Sequence, residues 1–104
     1  MVTLLWAIVE DENYLRGVAN CGGARSVDEA IAPILYALAR YPMGFDETDV
    51  KGMYLARTKL RINGPDFTLS HSVWFCPDEK TKTVELRWIE ITAPDAMADD
   101  LDYI

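Results

Sequence analysis

The stretch ARTKLRINGPDFTLSHSVWF, residues 56–75, decides the fold. Both of its halves alternate with period two, and NGPD at 63–66 stands between them. Gly64 tolerates a positive φ and Pro65 fixes its own, so the stretch reads as strand, tight connection, strand. In the first half Leu60 and Ile62 fall opposite Lys59 and Arg61. In the second, Phe67, Leu69, His71, Val73 and Phe75 alternate against Thr68, Ser70, Ser72 and Trp74. Residues two apart share a face of a strand, so Arg57, Lys59 and Arg61 line one face with positive charge.

Working outward, CPDEKTK at 76–82 turns the chain, and TVELRWIEIT at 83–92 reads as a further strand. Its apolar phase slips between Trp88 and Ile89, which marks a bulge or burial on both faces. Upstream, FDETDVKG at 45–52 is a polar loop. Before it lies the clearest helix of the chain. Ser26 and Glu29 have the spacing of a capping box, and Val27, Ile31, Ile34, Leu35 and Leu38 recur as one apolar stripe. Pro33 falls inside the stripe and removes one ladder hydrogen bond, which kinks the helix or shifts its start; Pro42 and Gly44 end it. VTLLWAIV at 2–9 reads as a buried strand. Turn residues Asn20, Gly22 and Gly23 follow, with room for a short helix over 11–17.

Strand, helix and then three consecutive strands argue an α+β fold: a small, mostly antiparallel sheet packed on one main helix. That sheet joins the N-terminal strand to a three-strand C-terminal meander. A single domain is expected over residues 1–92. Residues 93–104 form an acidic C-terminal tail in which Met97, Leu101 and Ile104 have helical spacing.

The 104 residues are 50% hydrophobic and 26% charged, the composition of a folded globular chain rather than a disordered one. The apolar run at 2–9 is too short to span a bilayer, lacks a basic start, and is followed at once by Glu10, Asp11 and Glu12. The expectation is a cytoplasmic protein with no membrane part. Cys21 and Cys76 lack metal-type spacing and His71 is the only histidine, so the thiols are expected reduced, with no metal and no cofactor.

The net charge is −7, yet seven of the ten basic residues lie between 51 and 89: Lys51, Arg57, Lys59, Arg61, Lys80, Lys82 and Arg87. Only four of the seventeen acids share that segment, so a basic block sits inside an acidic chain. Such asymmetry points to an anion-facing surface or to an internal charge match. Nucleic-acid binding by the whole surface is disfavoured, because most of it would repel phosphate.

From ILYALARYP through VKG to YLARTKLRI, DFTLSHSVWF and KTVELRWIEI, the order of pieces resembles the RelE/ParE superfamily of toxin–antitoxin toxins. In that family a Leu- and Ala-rich helix ends near a proline, a short loop leads to an Arg-rich strand, and a hairpin with two more strands follows. The resemblance covers roughly residues 27–92. It implies an antitoxin or other protein partner, contact with RNA or the ribosome, and endoribonuclease chemistry in which cationic groups hold phosphate. Target binding would then fall to Lys51, Arg57, Lys59, Arg61 and Arg87, and His71 would be the one imidazole open to a catalytic role. Thr68 stands where the family carries an arginine, and the chain ends in acids rather than bases. Binding, more than cleavage, is therefore what these residues carry.

Each candidate has a plainer reading. The basic strand face can be ordinary solvated charge, and Lys51 a surface lysine. His71 keeps phase with Phe67, Leu69, Val73 and Phe75, as a hydrogen-bonded core histidine would. Arg87 either joins the basic face or stacks on Trp88. Trp6, Trp74 and Trp88 suit core and sheet packing. Asp95, Asp99, Asp100 and Asp102 suit a solvated end, a tail folded back on the basic strand, or an acidic helix docking on another protein. A different class of function follows if the acids matter more than the bases. It is a non-enzymatic acidic binding module, such as an immunity or inhibitor protein or a nucleic-acid mimic in phage–host conflict, attracted to a basic partner by charge.

Overall fold

The computed structural model describes residues 5–61 and 68–92, with side chains for residues 5–58 and 70–92. The chain runs β1 (Ala7–Glu10), α1 (Glu12–Asn20), α2 (Ala24–Arg40), a 3₁₀ turn (Pro42–Gly44), β2 (Asp46–Glu47), β3 (Tyr54–Arg61), β4 (Thr68–Asp78) and β5 (Thr83–Thr92). The strands make one sheet in the order β1-β5-β4-β3-β2. Pairing is antiparallel except that β1 runs parallel to β5, with Ala7 beside Thr83 and Glu10 beside Leu86. This is a small α+β fold with a mixed sheet, as the residue pattern indicates.

Both helices contribute to one core. Tyr14 and Val18 from α1 join Val27, Ala30, Ile31, Ile34 and Leu38 from α2. The sheet answers with Ala56 from β3, Val73 and Phe75 from β4, and Val84, Leu86 and Ile89 from β5. Those sheet residues are neighbours in register: Ala56 beside Val73, Val73 beside Ile89, Phe75 beside Leu86. Strand alternation therefore gives the sheet one helix-covered face and one face, here the open face, that no element of the described residues covers.

Several details differ from the sequence reading, each for a physical reason. The helix over 24–40 starts two residues before Ser26, with Gly23 as its N-cap and no side-chain capping bond. Gly22 (φ 99°) and Gly23 (φ 94°) take backbone values open to glycine, and that lets α1 turn into α2 within three residues. Ser26 thus lies inside the first turn and the capping box does not form. The N-cap that does bond through its side chain is Asp11, whose Oδ2 accepts from the Asn13 N–H at 2.9 Å and starts α1. The helix continues through Pro33, whose ring lies on its exposed side. Residues 2–4 of the expected strand lie outside the described residues; within them β1 starts at Ala7, runs on to Glu10 and forms an edge rather than a buried strand, with Ile8 packed against the core. Trp6, just before it, is buried, donates its backbone N–H to Ala39 O at 2.7 Å, and carries the Lys82 ammonium 4.8 Å from its ring centre. The loop over 45–52 contains the two-residue strand β2. Among the described residues no helix is long and apolar enough to cross a membrane.

α1 meets β5 closely at Gly17. A Cβ there would lie 2.9 Å from both the Ile89 carbonyl oxygen and Ile89 Cγ2. Gly17→Ala should gain about 1 kcal/mol of helix propensity, yet the backbone oxygen cannot yield as a flexible side-chain tip would. Overpacking of this kind costs roughly 1–3 kcal/mol. A net loss of stability is expected for Gly17→Ala and a larger one for Gly17→Val, read as a lower urea midpoint at unchanged slope.

Candidate functional site

The open face is built from the residues that alternate with the core. Arg57 of β3 lies beside Ser72 of β4, and Ser72 lies beside Glu90 of β5; Ser70 lies beside Thr92. Arg57, Thr58, Ser70, Ser72 and Thr92 line a depression of about 530 Å³ in which Ser72, 7% exposed, is the most buried member. Thr58 alternates with Arg57 and borders the depression from the other face of the strand; the hydroxyls of Ser70, Ser72 and Thr92 and the Arg57 guanidinium are hydrogen-bond donors of the kind that hold an oxyanion. The Glu90 carboxylate flanks the depression, and its Oε2 accepts from Trp88 Nε1 at 2.9 Å. Among the described residues Arg57 makes no ion pair.

Lys59 and Arg61 pair with Ser70 and Thr68 on the same ladder, so the three cations hold alternate positions of β3 as expected. Lys51 is exposed in the turn between β2 and β3, where Gly52 N–H donates to Glu47 Oε2 at 2.6 Å, and it does not line the depression. Asp95, Asp99, Asp100 and Asp102 lie outside the described residues.

Arg87 departs from the expectation that it joins the basic face. In the β4–β5 ladder Trp74 pairs with Trp88 but Phe75 pairs with Leu86, so Arg87 is the extra residue of a bulge. Its Nη1 sits 3.5 Å from Glu85 Oε1 and 3.5 Å from Cys76 Sγ. Cys76 is four residues along β4 from Ser72, roughly 13 Å at the usual strand rise. The guanidinium is thus matched by a local carboxylate, away from Arg57, and it does not stack on Trp88. The phase slip visible in the sequence is this bulge.

His71 also separates from the cations. It lies between Thr58 and Ile91 in the ladder, one residue from Ser72, and therefore on the helix-covered face. It is 3% exposed, and Nδ1 has no hydrogen-bond partner among the described residues. The hydrogen-bonded core histidine of the sequence reading is thus half right: the ring is in the core, but Nδ1 lacks the bond. An imidazole on this face cannot reach a substrate held beside Arg57. Burial pushes its pKa below the ordinary value of 6.5.

The hydroxyl row was visible in the sequence as Thr68, Ser70 and Ser72 alternating against apolar residues. Serine on a strand face carries no signal of its own until a cation is found opposite. Cys21 and Cys76 are free thiols; Cys21 packs against the core while Cys76 belongs to the open face. Among the described residues no three His, Cys, Asp or Glu side chains gather as a metal site would need.

Because the folded state disfavours the His71 imidazolium, the unfolded chain binds the extra proton first on acidification. Stability should fall as pH drops below 6.5 and level off below the depressed folded pKa. His71→Leu should remove this step from a plot of unfolding free energy against pH, leaving the carboxylate titrations at lower pH.

Compared with protein-family models, with curated proteins and with solved structures, the chain has no match.

Proposed function

We propose that this chain is a RelE/ParE-like protein of a toxin–antitoxin system that binds an anionic macromolecular target, RNA or a ribosomal surface, on its open sheet face, without imidazole catalysis. The observation that carries this reading is the division of the candidate residues by the sheet. Arg57 and the hydroxyls of Ser70, Ser72 and Thr92 line one depression, and the only histidine is buried on the other side, in register with Thr58. The element order supports the family part of the reading: a strand, two helices, a short loop, then an antiparallel meander whose first long strand carries Arg57, Lys59 and Arg61. Phosphate contacts by such cations weaken as salt rises, through release of counterions.

A second reading, the acidic binding module, is favoured by one observation. Glu10, Glu12, Asp28, Glu29, Asp46, Glu47 and Asp49 are exposed, and of these only Glu12 has an ion-pair partner among the described residues. Unmatched acids on this scale attract a basic protein and speed its association.

Expression of the chain in bacteria separates the two. Under the first reading growth arrests, and the triple change Arg57→Ala, Lys59→Ala, Arg61→Ala relieves the arrest, while His71→Leu leaves it in place as long as the protein accumulates. Loss of arrest in a stable His71→Leu variant would restore a catalytic role to the imidazole. Under the second reading expression is harmless, a basic partner is captured, and neutralising the exposed acids releases it.

A further inference from the structure

β3 is an eight-residue strand, yet β2 pairs with only two of its residues: Glu47 with Tyr54 and Asp46 with Leu55. Residues 56–61 therefore present an outer edge with no strand beside it among the described residues. The direction of the backbone groups on that edge follows from the turn that precedes it. Thr48 N–H donates to Met53 O at 2.7 Å, so the Met53 peptide groups point toward β2. In a strand these groups point to the same side at every second residue. Leu55, Arg57, Lys59 and Arg61 thus turn their N–H and C=O outward, whereas Tyr54, Ala56, Thr58 and Leu60 turn theirs toward β4. The three cations are the residues whose outward backbone groups have no strand partner among the described residues. Where β2 leaves β3, Gly44, Phe45, Asp46, Leu55 and Arg57 line a second depression of about 360 Å³. Arg57 borders both this edge depression and the one on the open face.

We propose that residues 56–61 of β3 are a strand-addition site for an extended acidic peptide segment of a partner protein. The added strand continues the line of β2. Its backbone pairs with the outward N–H and C=O groups of Arg57, Lys59 and Arg61. In an antiparallel ladder the residue facing each of these across the hydrogen-bonded pair places its side chain on the same sheet face, so an acid at every second position stands opposite a cation. The residue facing Arg57 lies next to the edge depression, where Leu55 and Phe45 offer an apolar wall. Backbone pairing supplies affinity in this mode of recognition, and the alternate side chains supply specificity. An exposed edge guarded by charges is also how sheets avoid self-association. Here the guards have one sign, which repels a second copy of β3 and admits a segment of opposite sign. The inference stands apart from the toxin reading, since an edge of this kind serves any protein partner.

The test uses the full chain and three synthetic eight-residue peptides. One alternates glutamate with valine, one alternates lysine with valine, and one repeats the glutamate sequence with N-methylated backbone amides on the pairing edge. Fluorescence anisotropy should show binding of the first peptide that is at least tenfold tighter than of either other. Amide hydrogen exchange should then slow at Arg57, Lys59 and Arg61. Lys59→Pro removes one outward N–H at an edge position where proline is tolerated, and it should weaken binding at least tenfold while the far-ultraviolet dichroism is kept. Lys59→Ala keeps that N–H and should lose less. Equal binding of the N-methylated peptide, or no slowing of edge amides, would place the peptide on the open face and overturn the proposal. So would equal binding of the lysine peptide, or displacement of the glutamate peptide by an oligonucleotide without change at the edge amides. Absence of binding by the glutamate peptide at millimolar concentration overturns it as well.

Discussion

One-sided covering of the sheet is the constraint on which the rest of the molecule depends. α1 and α2 bury their apolar stripes against the same face, into the cluster that includes Val73, Phe75, Leu86 and Ile89. Burying an aliphatic or aromatic side chain of this size contributes about 1.5–3 kcal/mol, so a slip of one residue in any central strand would turn several such groups to water. The register is therefore fixed by the dry face, and the wet face takes whatever the intervening positions carry. Arg57, Ser70, Ser72, Trp74, Cys76 and Glu90 are neighbours because Ala56, Val73 and Phe75 are core.

The bulge at Arg87 belongs to the same logic. β5 must place Val84 and Leu86 in the core beneath one part of the helix layer and Ile89 beneath Gly17 of α1. An even spacing from 86 would bring the larger Trp88 inward beneath α1, where Ile89 already packs closely against Gly17. One extra residue shifts the phase, keeps Arg87 and Trp88 with the open face, and brings Ile89 in. The cost is a ladder interruption, offset locally by the Arg87 contacts to Glu85 and Cys76. A positive charge that looks in the sequence like a fourth member of the basic face is thereby committed to a structural pair.

Much of the fold was legible because strand alternation and helix spacing are local signals. β5 matches its expected limits, and the main helix and the central hairpin strands are where periodicity places them. What could not be read depends on contacts distant in sequence. The early start of α2 reflects two glycines in left-handed conformations, and Ser26 mimics a cap only because it stands before an apolar stripe. β1 looks buried by composition, yet among the described residues it lies at the sheet edge with one strand neighbour. Of the candidate site, the alternate register positions of Arg57, Lys59 and Arg61 on β3 followed from period two alone. The exclusion of Arg87 needed the bulge, and the exclusion of His71 needed knowledge of which face the helices cover. The sequence places His71 in phase with core residues, and that phase proved decisive.

The parallel contact between β1 and β5 ties the beginning of the described chain to its far end, with Ala7 beside Thr83 and Asp11 N–H bonded to Leu86 O at 2.9 Å. During translation β1 emerges long before β5, its one strand neighbour among the described residues. The meander of β3, β4 and β5, made of close-range pairings, can assemble without it, whereas β1 must wait and close the largest loop in the molecule. The β1–β5 pairing is thus the contact of longest range in the described sheet, and a chain that ends before β5 lacks the strand against which β1 pairs.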